Sequence, residues 1–327
     1  MKPKILVTDA TFPEIIDYLS HSFEVEHNQA DQDYDESALI QKLQDKAGVF
    51  AYPTRRFAGP LFAVCPQLKA VCNMAVGYNN IDVAAATAAG IMVTNTPDVL
   101  NETTADFGWT LMMAAARRVS ESEHFVRAGR WKRWRFDDFL GVDVHGSTLG
   151  IIGMGRIGQA IARRSIGFNM KVVYHNRSRL APELEHAANH ASYLTLEACL
   201  SAADHLILAL PYSAQSHHLI GEAQLAMMKP TATLVNIARG GIVDDAALIT
   251  ALKSGVIAAA GIDVFENEPM LNPDFLSLTN VVLTPHIGSA STSTRIAMAY
   301  CAAATVVAVP ATATKVFAVV IGTTAAA

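Results

Sequence analysis

The 327-residue chain is sparing in cysteine and in charge. Its four cysteines, Cys65, Cys72, Cys199 and Cys301, are scattered and form no C-x-x-C pair. That speaks against a disulfide scaffold or a zinc site, and for buried thiols in a reducing compartment. There is no basic excess either. The formal net charge is −5, whereas a dedicated nucleic-acid binder needs a cationic face to neutralise phosphates. No unbroken apolar run reaches the ~18 residues of a membrane span. The opening run Ile5-Leu6-Val7 is too short for a secretory leader. A cytoplasmic protein with neither membrane nor nucleic-acid partners is expected. What the chain has in quantity is apolar: 51 % hydrophobic residues against 17 % charged, enough for a full core and incompatible with disorder. At roughly 100–200 residues per domain, the length suggests two domains.

Strand and helix signals alternate from the start. Strands are expected at Lys4–Thr8, Phe23–His27, Gly48–Tyr52, Leu68–Met74 and Met92–Asn95, with helices at Phe12–Ser20 and Glu36–Asp45. After the break at Asn95-Thr96-Pro97-Asp98, a long helix is expected over Glu102–Arg118, capped by Asn101. Glu121–Asp138 is charged and aromatic, with few strand features. The rhythm restarts with strand Thr148–Ile152, helix Ile157–Ser165 and strand Lys171–Tyr174. Further strands are expected at His205–Leu210, Thr233–Asn236, Ala260–Asp263 and Val281–Thr284. Strands separated by helix-length segments argue for parallel β-α-β units, hence an α/β protein. Beyond Arg295 the only charged residue is Lys315; a helix over Ile296–Ala304 is expected, interrupted by Pro310.

Gly153-Met154-Gly155-Arg156-Ile157-Gly158 follows an apolar strand and opens a helix, the context in which G-x-G-x-x-G carries weight. Gly153 permits the tight turn, Gly155 leaves room for a pyrophosphate, and Gly158 lets helix and strand pack closely. The free N–H groups of the helix start suit phosphate. The next strand ends in Asn176-Arg177-Ser178-Arg179. An acidic residue there would favour the ribose 2′-hydroxyl of NAD(H). Two guanidinium groups and a hydroxyl favour a 2′-phosphate instead, so NADP(H) is expected to be preferred, with NAD(H) possible.

Three polar segments follow apolar strands downstream: Asn236–Gly241, Asp263–Pro269 and Thr284–Gly288. Each lies just past the expected C-terminal end of a parallel strand, where open α/β sheets bind ligands. Together with Asn73–Asp82, Ile242-Val243-Asp244 and Pro285–Ser289, these motifs resemble the D-isomer-specific 2-hydroxyacid dehydrogenase family, in consistent order over about residues 1–300. Within it, Asn73–Asp82, His175–Arg179 and Trp131–Gly141 leading into Asp143-Val144-His145 are most similar to the glyoxylate/hydroxypyruvate reductases, also described as 2-ketogluconate reductases.

The resemblance implies two Rossmann-like, doubly wound parallel-sheet domains with a cleft between them. Residues 1–100 plus 288–327 would bind substrate, and residues 101–287 would bind NADP. It implies reduction of small 2-keto acids to 2-hydroxy acids. His286 would protonate the developing alkoxide, and Glu268 would hold the imidazole and favour its protonated form. Arg239 would bind the carboxylate and polarise the carbonyl. Main-chain N–H groups of Val76 and Gly77 would hold the carboxylate from the other domain. Asp263, with the Ile237-Ala238 backbone, would lie by the nicotinamide. Leu210, Pro211 and Ser216 would line the adenosine side, with Gly288 and Thr104 also against the cofactor. No metal is implied.

The run of Arg117, Arg118, Arg127, Arg130, Lys132, Arg133 and Arg135, interleaved with Trp131, Trp134 and Phe136, could suggest nucleic acid; the net charge argues against it. In the family this 120–140 region is a dimer arm, so a homodimer is implied, with Trp134, Phe136 and Phe139 at its interface. Residues 301–327 depart from the family, whose members usually close with an amphipathic helix and an Asn-Pro segment. Other readings on the same scaffold are a 2-ketogluconate reductase, a formate or phosphite dehydrogenase, and a nucleotide-sensing corepressor-like protein. The retained Arg239, Glu268 and His286 weigh against the last.

Overall fold

The computed structural model of the protein describes residues 2–308. Contacts divide these residues into two compact units, residues 2–100 with 290–308 and Asn101–Ser289. The expected interruption at Pro310, and the tail from 309 onward, lie outside the described residues.

The first unit carries β1 (Lys4–Val7), β2 (Glu24–His27), β3 (Gly48–Ala51), β4 (Ala70–Asn73) and β5 (Met92–Thr94). They form one parallel sheet in the order β2-β1-β3-β4-β5. Every residue of β3 and β4 is buried, as expected of parallel strands, which read as continuous rather than alternating apolar runs. The helix Thr292–Ala308 packs on β3 and β4. It is longer than the Ile296–Ala304 expected. Met298, Ala299, Ala302, Ala303 and Val306 are buried at helical spacing, and Thr305 Oγ1 lies 2.9 Å from Thr94 Oγ1.

The second unit carries β6 (Thr148–Ile152), β7 (Lys171–His175), β8 (Ser192–Tyr193), β9 (His205–Leu208), β10 (Thr233–Asn236), β11 (Ala259–Ile262) and β12 (Val281–Leu283). The sheet is parallel throughout, in the order β12-β11-β10-β9-β6-β7-β8. Side chains alternate across it. Leu206, Leu208 and Leu234 join one apolar cluster, while Ile207 and Val235 join another. Each face therefore has its own core. The helix Asn101–Ala116 takes in Asn101 as its first residue rather than starting after it. It lies so close to the sheet that a side chain at Gly261 would meet Leu111 Cβ at 2.9 Å. Trp109 Nε1 anchors this helix by donating to Ile161 O at 3.0 Å. No helix among the described residues is long and apolar enough to cross a membrane.

The strand order reverses at β6, which has β7 on one side and β9 on the other. That reversal opens a crevice at the C-terminal edge, where doubly wound sheets take their ligands. The glycine loop follows β6 directly.

Candidate active site

The loop after β6 is shaped by its glycines. Gly153 has φ +100°, and a Cβ there would sit 2.6 Å from Ala209 O and 2.7 Å from Leu210 N. Only a glycine lets β6 turn this tightly beside the end of β9. A Cβ at Gly158 would lie 2.3 Å from Gly153 O, so the helix Arg156–Arg164 starts against the loop itself. Gly155 faces open space: nothing lies within 4 Å of its Cβ position. A tight turn, an open glycine and a helix start make a cradle that fits a pyrophosphate. Arg156 and Ile157 form the first turn of that helix.

Past β7, Asn176 Oδ1 accepts from Met154 N at 2.7 Å and so braces the cradle. Arg177 and Ser178 are exposed. Arg179 is engaged by a neighbour. Its Nε and Nη2 donate to the two carboxylate oxygens of Glu185 at 2.9 and 2.8 Å. Glu185 Oε1 also accepts from Tyr174 Oη at 2.7 Å. The Arg179 and Tyr174 hydrogen bonds hold the Glu185 carboxyl down at about 2. No feature of the sequence singles out Glu185. Its partner sits six residues earlier, and the turn into the helix Pro182–Ala187 brings them together.

Neighbouring strands β10, β11 and β12 carry the three polar segments. Asn236 pairs with Ile262, and Ile262 with Leu283. Arg239, Asp263 and His286 thus follow adjacent strand ends, although 24 residues separate the first two and 23 the next two. Asn236 shapes the first segment: its Oδ1 accepts from Ala238 N at 3.0 Å and its Nδ2 donates to Arg239 O at 3.1 Å. The Ile237 side chain is buried in the core, where a Cβ at Gly108 would lie 3.0 Å from its Cδ1. Arg239 Nη1 donates to Ala238 O at 2.6 Å. Burial lowers the Arg239 guanidinium from its ordinary value, while Glu268 pulls it the other way.

Asp263 is the hub of the last two segments. It is 1 % exposed. Its carboxylate accepts from Ile287 N and Gly288 N, both at 2.8 Å, and from Thr284 Oγ1 at 2.7 Å. Burial pushes this carboxyl up despite those donors. His286 N donates to Asp263 O at 2.9 Å. This bracing matters because His286 has φ +54°, a left-handed conformation costly for a non-glycine residue. Thr104 Cγ2 and Asp263 Oδ2 lie 3.7 and 3.2 Å from a Cβ position on Gly288, so Thr104 flanks the same turn.

The imidazole so placed meets a carboxylate. His286 Nδ1 and Glu268 Oε2 are 2.8 Å apart. Glu268 Oε1 accepts from Phe265 N at 2.9 Å, which turns the side chain back toward β11. Burial would raise the Glu268 carboxyl. The hydrogen bond and charge of His286, with the Phe265 amide and Arg239, outweigh it and hold the group below its usual range. The arrangement offers a guanidinium, a group able to bind an anion, and an imidazole–carboxylate pair, a group able to move a proton.

Other expected site residues lie on further loops. Ser216 Oγ accepts from Ser213 N at 2.7 Å and donates to Pro211 O at 3.2 Å, closing its own loop. Val76 and Gly77 belong to the first unit, where Asn95 Nδ2 and Asn73 Nδ2 hold their carbonyls at 2.9 Å each.

A strand order 3-2-1-4-5-6-7, counted from the glycine-loop strand, defines a dinucleotide-binding domain. Residues 109–288 match the family model described as D-isomer specific 2-hydroxyacid dehydrogenase, NAD binding domain. A glyoxylate reductase of Thermococcus gammatolerans is 49 % identical over 303 residues, covering 91 % of this chain and 90 % of that protein. One from Aeropyrum pernix is 46 % identical over 313 residues, covering 94 % and 92 %. Among solved structures, an NADPH-dependent glyoxylate/hydroxypyruvate reductase from Sinorhizobium meliloti, in complex with NADP and malonate, superposes with a TM-score of 0.83. It is 36 % identical, covering 93 % of this chain and 92 % of that one. The chain belongs to the D-isomer specific 2-hydroxyacid dehydrogenase family and is an NAD(P)-dependent oxidoreductase.

Proposed function

We propose that the protein reduces glyoxylate, and with it hydroxypyruvate, to the corresponding 2-hydroxy acid, with NADPH as the preferred reductant. The chemistry supplied by bound NADPH is hydride donation to the keto carbon. The chain's own residues do the rest. Arg239 presents a fork of donors to the planar carboxylate and draws electron density from the adjacent carbonyl. Glu268 accepts from His286 Nδ1–H, which leaves Nε2 as the atom that delivers a proton to the carbonyl oxygen as the hydride arrives. Asp263 holds the 286–288 turn, and the Gly153–Gly158 cradle takes the pyrophosphate. Arg177 and Ser178 face the 2′-phosphate, with Arg179 adding its charge from a fixed position.

The observation that carries this reading is the 2.8 Å His286–Glu268 pair at the end of β12, two strands from the β10 end that carries Arg239. The similarity to glyoxylate reductases supports the substrate class. The exposed aromatics Trp131, Trp134 and Phe136 support a homodimer through the 120–140 arm, since exposed apolar patches mark interaction surfaces. NADPH oxidation, followed by absorbance with glyoxylate, hydroxypyruvate and 2-ketogluconate, tests the proposal. Turnover of glyoxylate is expected. Turnover of 2-ketogluconate alone would move the assignment to the longer substrate, and turnover of no 2-keto acid would sink it.

A further inference from the structure

His217 and His218, which follow Ser216, have no part in the chemistry above, yet they meet Glu266. The ligand atoms of His217, His218 and Glu266 all lie within 4.8 Å of one another. His218 Nε2 is in short contact with Glu266 Oε1, and His218 Nδ1 faces Asp244 Oδ2 at 3.8 Å. A carboxylate behind the far ring nitrogen is how ligating histidines are oriented. The two imidazoles stack, 3.9 Å between centroids and 23° between planes. Tyr212 Oη lies 3.2 Å from His217 Nδ1.

Gly241, at φ +77°, borders these groups. A Cβ there would lie 3.4 Å from His217 Nδ1 and 3.8 Å from Glu266 Oε1. The framework is also fixed to one segment. His218 N donates to Gly241 O at 2.7 Å and Ile220 N to Ile242 O at 3.1 Å. Glu266 N donates to Asp245 Oδ2 at 3.1 Å. His218 and Glu266 are therefore tethered to residues 241–245, and His217 is held next to them by its own amide, which donates to Ser213 O at 3.1 Å.

We propose that His217, His218 and Glu266 bind one divalent transition ion of the zinc class. Two imidazoles and one carboxylate form the three-ligand set that zinc accepts while keeping a position for water. Calcium or magnesium would call for an oxygen-only cage. Zinc–ligand distances of about 2.0–2.2 Å are reached by rotation of the exposed histidine side chains. Glu266 is two residues from Glu268 and Gly241 two from Arg239, so occupancy ties together the segments that carry both.

Calorimetric titration of tag-free, chelator-treated full-length protein with Zn2+ tests this, alongside the visible absorption of Co2+ in its place. One ion per chain and a d–d band of a four- or five-coordinate site are expected. His217→Gln and Glu266→Gln should each weaken Zn2+ at least tenfold. Asp244→Asn, which keeps an oxygen for the Ala247 amide it now caps at 3.0 Å, should weaken Zn2+ by about 10–100-fold. Absence of saturable binding overturns the proposal, and so does binding that His217→Gln and Glu266→Gln leave unchanged. Should Glu266→Gln lower the melting temperature, His217→Gln decides alone, because that side chain is exposed.

Discussion

The two arginines after β7 should play different parts in cofactor choice, and single substitutions separate them. Arg177 is exposed at the end of the strand. A charge-assisted hydrogen bond contributes about 1.5–3 kcal/mol, so Arg177→Ala should weaken NADPH by about 10–100-fold. NADH, which lacks the 2′-phosphate, should bind as before. Arg179 is held in a fork by Glu185, which is 6 % exposed. Arg179→Ala should therefore change the NADPH/NADH ratio less than Arg177→Ala and should act mainly on stability. The sign follows from linkage. The Glu185 carboxyl is depressed from 4.5 to about 2 in the folded protein, so its contribution is fully present above 4.5 and is lost as pH falls toward 2. Removing Arg179 shrinks that depression, and acid unfolding should begin at higher pH. Fluorescence titration with NADPH and NADH at constant ionic strength, and circular dichroism melts from pH 7 down to pH 3, read out the two effects. Equal weakening of both nucleotides by Arg177→Ala would refute the 2′-phosphate assignment. An unchanged acid limb in Arg179→Ala would refute the Glu185 argument.

Other substitutions probe the scaffold. Asp263→Asn puts an amide NH2 against a backbone N–H donor, either that of Ile287 or that of Gly288. A loss of about 2–4 kcal/mol in urea unfolding is expected from one forfeited charged hydrogen bond and one unsatisfied donor, with a lower kcat as the His286 turn loosens. Gly158→Ala sets a methyl group 2.3 Å from Gly153 O. It should cost about 1–3 kcal/mol by overpacking and abolish measurable NADPH binding; retained affinity would show that the helix start is not the phosphate cradle. Trp134 and Phe136 are 74 % and 83 % exposed. Their joint replacement by serine should shift the sedimentation coefficient from dimer to monomer while leaving the melting temperature of the monomer near that of the parent.

Much of the fold was legible because buried parallel strands are short apolar runs with sharp ends. β6 and β10 occupy the expected Thr148–Ile152 and Thr233–Asn236, each following a turn and closing on a polar or glycine segment. β8 was not legible: Ser192-Tyr193 has no apolar run and exists only by pairing with Val173 and Tyr174. Nor was the helix Gly59–Val64, whose glycine and proline obscure any helical period. Helix ends moved where burial outweighed local signals, as in Thr292–Ala308. At the site, the polar segments were legible because each follows a strand whose end is marked by composition. The supporting pairs were not. Arg179 with Glu185, His218 with Glu266 and Asp263 with the 287–288 amides join residues by loop geometry, which composition and periodicity do not encode.

Central to the proposed function is the assignment of His286 as the proton donor, with no part in holding the nucleotide. Single-turnover reduction of glyoxylate by NADPH, with NADPH affinity measured in parallel, tests this on His286→Ala. The expected result is a hydride-transfer rate lower by about a hundred- to ten-thousand-fold with unchanged NADPH affinity. A rate near that of the parent, or a slow rate explained by lost NADPH binding, would contradict it.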